Sequence, residues 1–408
     1  MQLKDLINLN DCKFIFSELK NAGGESRFVG GCIRDAILGQ PVKDIDIATT
    51  LLPEAVANIF SRNTSIKLIN VGREHGTIMV IIGHHPYEIT TLRRDVETDG
   101  RHAIVEYTTD WQADAARRDF TINAMSYSPE EDKLYDYFDG QTDAAAGLIK
   151  FVGNPEQRVQ EDYLRIMRLF RFYAYCGSKI DEASLAACSQ KAPRLASISK
   201  ERKAFELLKI IEHDRCLETL ELMLQQNILK HLPFSARWSD AIQRLAKLQN
   251  LAEACNYQVR ACLRIFALFN NFDKTYGNDL LLPLSIKKYL KQLQHLTATA
   301  DLKAIMALPY RYLYLFKEVL LDGLIYMLST DGVPDAEARQ VMEKFVTLQA
   351  IPLPQFPLNG DDLMQRFSMQ PGKEIGQLIE TAKQLWFKFK CSATRDNLLN
   401  QLEQVIKR

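Results

Sequence analysis

Asp44 and Asp46, separated by Ile45, are the residues in this 408-residue sequence whose spacing most clearly suggests chemistry. In a strand, residues i and i+2 point to one side, so both carboxylates would face one point while Ile45 packs behind them. Two like charges held together are costly unless a cation neutralises them, and an oxygen-rich site that also receives phosphate suits Mg²⁺. Acidic pairs on exposed strand ends are common, so the neighbourhood matters. A β run ends just upstream at Gly30-Gly31, and a helical pattern, CIRDAIL, begins there at once. Two glycines let the backbone approach a ligand, and a helix start offers free N–H groups to an anion; the alternative is a plain tight turn. Arg34, beside Asp35 on the first turn, could reach phosphate oxygens. Glu88, in the run YEITTL, is a candidate third carboxylate, with a solvated strand residue as the alternative.

Two further clusters carry the same flavour. In Arg117-Arg118-Asp119-Phe120-Thr121-Ile122-Asn123-Ala124 the adjacent arginines suit a polyanion, and Asp119 can accept hydrogen bonds from ribose hydroxyls. Asn123 is expected one helical turn after Asp119, on the same face; a capped, solvated helix start is the alternative. In Glu161-Asp162-Tyr163-Leu164-Arg165-Ile166-Met167-Arg168 the spacing places Glu161, Asp162 and Arg165 on one face of a single helix. The modest interpretation is a pair of surface ion bridges, each worth under ~1 kcal/mol. The sharper one is base recognition. Asp162 only accepts and Arg165 only donates. Cytosine and adenine both present an amino donor beside a ring-nitrogen acceptor, whereas uracil and guanine present the reverse order. A fixed Asp/Arg pair therefore admits C and A and leaves U and G with unpaired buried groups. Glu161 would hold the Arg165 guanidinium in plane.

These residues need elements to position them. Short β-type runs (Arg27–Val29, Ile45–Thr49, Ser65–Asn70, Gly76–Ile82, Tyr87–Leu92, Ile149–Val152) alternate with turns and helical stretches over the first 150 or so residues, an α+β pattern. From Pro155 onward the patterns are almost wholly helical, punctuated near Pro233, Pro283, Pro309 and Pro352–Pro357. The length calls for two to four domains. Net charge is zero, with 51 Lys+Arg against 51 Asp+Glu, so composition neither favours nor excludes an RNA partner that binds a local basic face. The eight cysteines show no zinc-type or paired spacing, which implies reduced thiols, no disulfide partner and a cytoplasmic setting. The N-terminal MQLKDLINLNDCKF lacks a signal-peptide core, and no apolar stretch is long enough to cross a bilayer.

GG-x-x-RD-x-x-LG followed by D-x-D, then RRD-x-x-x-NA and ED-x-x-R, resembles the polymerase-β-like nucleotidyltransferases, specifically the class II branch of CCA-adding enzymes and poly(A) polymerases. The resemblance is strongest over residues 27–170. It implies a nucleotidyltransferase head at 1–154 followed by an all-helical neck (155–215), body (216–335) and tRNA-gripping tail (336–408). It also implies template-independent addition of CCA to tRNA lacking or partly lacking that end, from CTP and ATP, by two-metal phosphoryl transfer with Mg²⁺. Gly30, Gly31, Arg34 and Asp35 would then contact the triphosphate region. Asp44 and Asp46 would hold the metals, with Glu88 completing the acidic cluster. Arg117, Asp119, Asn123, Glu161, Asp162, Arg165 and Arg168 would serve nucleotide binding, the ED-x-x-R element acting as an amino-acid template.

Weaker signals separate close relatives. Gly72-Arg73-Glu74-His75-Gly76-Thr77 is similar to the G-x-x-HGT stretch of CCA-adding members, and no G-R-R-F-type sequence of the poly(A) polymerases stands there. Leu92–Arg101 is charged and holds a glycine, as expected of a loop that moves between the C and A additions. A poly(A) polymerase, a partial CC- or A-adding enzyme, and a catalytically silent RNA-binding protein are the alternatives. Ser199-Lys200-Glu201-Arg202 resembles the neck that follows ED-x-x-R. His213-Asp214 lacks the further ligands a phosphohydrolase needs and is expected at a helix end. Trp386–Lys390 resembles the tRNA-gripping tail of relatives, and is expected chiefly as a helix burying its aromatics with lysines turned outward.

Overall fold

A computed structural model describes residues 3–9, 11–70, 76–98, 103–234, 237–269 and 280–406. They form two compact units, 1–233 and 234–408.

The first unit is built on strands β1 (Ser26–Val29), β2 (Ile45–Thr49), β3 (Lys67–Asn70), β4 (Thr77–Ile82), β5 (His85–Thr91), β6 (Arg93–Thr98), β7 (Ala103–Tyr107), β8 (Ser126–Ser128), β9 (Lys133–Tyr135), β10 (Leu148–Ile149) and β11 (Lys179–Ile180). Its helices are α1 (Cys12–Asn21), α2 (Gly31–Ile37), α3 (Pro53–Ser61), α4 (Trp111–Ala116), α5 (Gly140–Ala145), α6 (Pro155–Glu161), α7 (Arg165–Cys176), α8 (Glu182–Lys191), α9 (Lys200–Glu212) and α10 (Cys216–Gln225). Seven strands make a mixed sheet in the order β3-β4-β5-β2-β1-β8-β9. Only β2 and β5 run parallel within it.

Period-two alternation sets which residues the sheet buries. On β2, Ile45 and Ile47 face a core shared with Phe28, Ile33, Phe60, Val80, Tyr87 and Ile89. Each such side chain removed from water contributes roughly 1.5–3 kcal/mol, so the register of β2 is held firmly. The consequence is that Asp46 emerges on the opposite face, directly paired with Glu88 of β5.

Several expectations are corrected. The charged stretch after Leu92 is not a loop over its described part. Arg93–Thr98 and Ala103–Tyr107 form an antiparallel hairpin, with an irregularity between Asp95 and Glu97. Charges tolerated on a two-stranded ribbon hid its strand character. The Asp99–Arg101 part of that stretch, His102, and the Gly72–His75 part of the G-x-x-HGT motif, lie outside the described residues. Strands β8, β9 and β11 were also not anticipated. The expected run Ile149–Val152 is a strand only at Leu148–Ile149, and Phe151 instead bridges to Phe120. Asn123 belongs to a 3₁₀ turn, Thr121–Asn123, rather than to an α-helix.

The most consequential correction concerns the ED-x-x-R element. It does not lie on one helix. α6 starts at Pro155 behind an Asn154 cap and ends at Glu161; Asp162 is extended (φ −151°, ψ 108°), and α7 starts at Arg165. Burial of Ile166, Met167, Leu169 and Phe170 on the α7 side fixes the direction of the second helix. α10 packs on α7 and α9 within this unit.

The described part of the second unit is helical, from Trp238–Ala254 to Arg395–Ile406. Asp322, fully buried, is held there by the Tyr257 hydroxyl at 2.6 Å and by Arg260. Toward the C-terminus, Trp386 and Phe387 are buried with Leu363, Leu398 and Leu402, while Phe389 is 45% exposed. Among the described residues no helix is long and apolar enough to cross a membrane.

Candidate active site

The chain turns sharply from β1 into α2 at Gly30, whose φ of +71° is favoured only for glycine. A side chain there would also place its Cβ 3.0 Å from Arg118 Nη1 and 3.7 Å from Asp46 Oδ2. The turn thus brings bare backbone against a carboxylate and a guanidinium. Asp46 sits half-buried between them, and Asp44 is exposed just before β2. Burial, then the charges of Glu88 and Asp44, push the Asp46 carboxyl up to about 6, against the opposing pull of Arg118 and Arg34. Two further carboxylates therefore press on Asp46 in the interior of the sheet, the situation a cation relieves. Among the described residues no group of three or more His, Cys, Asp or Glu side chains could hold a metal by itself. A hard divalent cation here fits if phosphate and water oxygens complete its shell, as Mg²⁺ usually requires.

Arginines form the next layer. Arg34 is buried, donating to Asn123 Oδ1 at 2.7 Å and to Asp35 Oδ1 at 2.9 Å, and its guanidinium lies over Phe172. Asp35 also accepts from the Tyr175 hydroxyl at 2.7 Å, so it braces Arg34 from behind. Phe172 carries Arg168 and Arg171 against its ring as well, a cation–π platform for three guanidiniums. Asp119, expected to take ribose hydroxyls, already has its acceptor positions filled. Oδ1 accepts from the Phe120 N–H at 2.9 Å and Asn123 Nδ2 at 3.1 Å; Oδ2 accepts from Arg168 Nε at 2.7 Å and from Arg168 Nη2. Burial alone would raise its pKa, but the Arg168 charge and these bonds outweigh it and hold the carboxyl well below the usual carboxylate range. Arg117 and Arg118 both pair with Asp114, at 2.7 and 3.1 Å, and Arg118 is the one that also meets Gly30.

At the helix break, Glu161 pairs with Arg165 Nη1 at 2.5 Å, and the same nitrogen donates to the Arg158 carbonyl at 2.8 Å. Asp162 is held separately: Oδ1 accepts from the Leu164 N–H at 3.0 Å and Oδ2 from Arg202 Nη2 at 2.7 Å. Arg158, buried, pairs with Glu161 and donates to the carbonyls of Arg117 and Arg118, linking the two arginine-bearing segments.

One cavity of about 510 Å³ collects most of these groups. Of the expected residues, Gly30, Gly31, Arg34, Asp46, Asp119, Asn123, Asp162, Arg165 and Arg168 line it. Asp35, Asp44, Glu88, Arg117 and Glu161 stand behind or beside the lining. Arg118, one of the adjacent arginines already suited to a polyanion, also lines it, together with Leu164, Arg171, Phe172 and Arg202, which sequence reasoning did not place there. Their signals were weak: Arg171 and Phe172 continue the α7 pattern, and Arg202 looks like an ordinary charge in the first turn of α9. Six arginines and three aspartates face this space, which suits a polyanionic ligand. His213, at the C-terminal end of α9, lies tilted against the Tyr175 ring and is not among the cavity's lining residues.

The chain is similar to known proteins over most of its length. The family described as "Poly A polymerase head domain" matches residues 26–150, and that described as "Probable RNA and SrmB- binding site of polymerase A" matches 177–239. The chain is 33% identical over 398 residues to the mitochondrial CCA tRNA nucleotidyltransferase 1 of Mus musculus, covering 93% of this chain and 87% of that protein. It is 34% identical over 378 residues to the CCA-adding enzyme of Streptococcus suis (strain 05ZYH33), covering 90% and 89%. The crystal structure of the Bacillus stearothermophilus CCA-adding enzyme in complex with CTP superposes with a TM-score of 0.76 at 26% identity, covering 100% of this chain and 98% of that one.

Proposed function

The chain belongs to the family of CCA-adding tRNA nucleotidyltransferases, and on that premise we propose how its own residues add C, C and A to the 3′ end of tRNA from CTP and ATP. The observation that carries the reading is that a single cavity has Asp46 in its lining together with Asp162 and Arg165, with arginines between them. Its dimensions and charge suit a nucleoside triphosphate lying with its phosphates toward Asp46 and its base toward the helix break.

Asp44 and Asp46 would hold Mg²⁺, with Glu88 adding negative charge beside them. When bound, the cation supplies a lowered pKa for the tRNA 3′-hydroxyl and neutralises triphosphate charge. Arg34 and Arg118, with the open backbone of Gly30 and Gly31, orient the α-phosphate for in-line attack, and pyrophosphate leaves. Arg168 and Arg171, presented by Phe172, bind the remaining negative charge. Asp119 and Asn123 keep Arg168 and Arg34 in place rather than contacting ribose. Arg165, locked by Glu161 and the Arg158 carbonyl, donates to the ring nitrogen of C or A, while Asp162 accepts from the exocyclic amino group. Because these donors and acceptors are fixed, U and G meet them in the wrong order.

We further infer a head over 1–154, a neck over 155–215, a body over 216–335 and a tail over 336–408 that grips tRNA. The eight cysteines, with no disulfide among the described residues, fit a reducing, cytoplasmic compartment.

Asp46→Asn, and separately Asp44→Asn, should reduce single-turnover addition by on the order of a thousandfold, with tRNA affinity in a filter-binding assay nearly unchanged. Loss of tRNA binding in both variants would remove the cation assignment.

A further inference from the structure

We propose that Arg202 is a positioning residue for nucleotide choice, clamping Asp162 so that its carboxylate offers a fixed acceptor to the amino group of C or A. The proposal rests on the reading of Asp162 as the base acceptor and adds the element that makes it selective.

Asp162 cannot orient itself. It occupies the extended residue between α6 and α7, outside both helices, and its side chain is 22% exposed. Five other arginines, Arg34, Arg118, Arg165, Arg168 and Arg171, face the same cavity. A loose carboxylate would turn toward any of them. Two bonds prevent this: the Leu164 N–H takes Oδ1, and Arg202 Nη2 takes Oδ2 at 2.7 Å. Each carboxylate oxygen has about two acceptor positions, so the clamp leaves one on Oδ2 for a base.

The clamp is itself built on a rigid base. Arg202 lies in the first turn of α9, whose start is capped by the Ser199 hydroxyl. The next residue, Lys203, is buried and donates from Nζ to the Leu195 carbonyl at 2.8 Å. One turn further, Glu206, 2% exposed, accepts from Arg171 at 3.2 Å. Residues at i and i+4 share a helix face, so α9 presents Arg202 and Glu206 together. The former fixes an acceptor in the cavity and the latter fixes one of its cations.

The consequence for selection follows from the base edges. Uracil would turn its O4 toward Asp162, and a clamped carboxylate cannot retreat from that repulsion. Released, it can rotate away, and the penalty against U falls while the bond to C weakens. Arg202 thus acts on both sides of the ratio.

The test uses the full-length protein, a tRNA transcript lacking CCA, and single-turnover kcat/KM for CTP and UTP in wild type, Arg202→Ala, Arg202→Lys, Asp162→Ala and the Arg202→Ala/Asp162→Ala pair. Arg202→Ala is expected to lower the CTP/UTP preference by about tenfold, the scale of one hydrogen bond to a charged group, with Tm unchanged. Arg202→Lys should recover most of it, and Arg202→Ala should add nothing in the Asp162→Ala background. A merely structural role would lower Tm and slow CTP and UTP alike, which overturns the proposal. If Asp162→Ala loses selectivity but Arg202→Ala keeps it, the clamp is wrong and the base-acceptor reading stands. If Asp162→Ala itself keeps full selectivity, the underlying reading fails and the clamp with it.

Discussion

At the residue scale, the site depends on charges whose environment decides their role. Asp119 shows this best. Its folded pKa is depressed relative to the ordinary value of 3.8, so ionisation favours the folded state. That contribution is complete above the unfolded value and is lost as pH falls below it. Asp119→Asn should therefore cost about 3 kcal/mol near neutral pH, the scale for breaking a buried pair. The gap from wild type, read by urea denaturation, should stay flat above pH ~5 and narrow below pH ~4. A gap that widens on acidification would contradict the assignment. Residue types alone suggested a carboxylate facing ribose; only the fold reveals Arg168 reaching it from 49 residues away. Gly30 and Asp46 were legible because their signals are local: a glycine pair at a strand-to-helix turn, and alternation on a strand with a buried isoleucine on each side of Asp46. The clamp on Asp162 was not, since nothing near Arg202 in the sequence points to a partner 40 residues before it.

At the element scale, the break between α6 and α7 separates two readings of the same residues. A continuous helix would have stacked Asp162 over Arg165 and let them neutralise each other. Ending α6 at Glu161 and restarting at Arg165 leaves each held by a different partner and available to a ligand. Sequence periodicity could not show this, because the apolar spacing of Val159, Leu164 and Met167 does not forbid a helix running through. Arg158 ties this break to the head through the carbonyls of Arg117 and Arg118. Arg158→Ala should raise KM for CTP and ATP together by about tenfold, the value of a charged hydrogen bond, with the CTP/UTP preference intact in the same incorporation assay. An unchanged KM with altered preference would instead place Arg158 in base selection. The strand pair Arg93–Thr98 and Ala103–Tyr107 escaped the sequence reading for a related reason: its many charges mimic a loop.

At the scale of the molecule, a chain with no net charge can bind a polyanion only by concentrating cations locally, and the cavity of the first unit gathers six arginines. The α+β head and helical remainder were legible from the change in hydrophobic period near Pro155, whereas Pro233 read only as one break among several in the helical part, because helices continue on both sides of the unit boundary there. A fragment of residues 1–233 should keep CTP and ATP binding in equilibrium dialysis and lose most of its affinity for tRNA; retained tRNA affinity would move the grip into the first unit. Whether one protein-borne site chooses C and A without a nucleic-acid template and then stops is read from incorporation into a tRNA transcript lacking CCA, with Mg²⁺ and single or mixed nucleotides, on a sequencing gel. C, C and A followed by a stop, with no extension from UTP or GTP, is the expected result. Long A tails from ATP alone would contradict it.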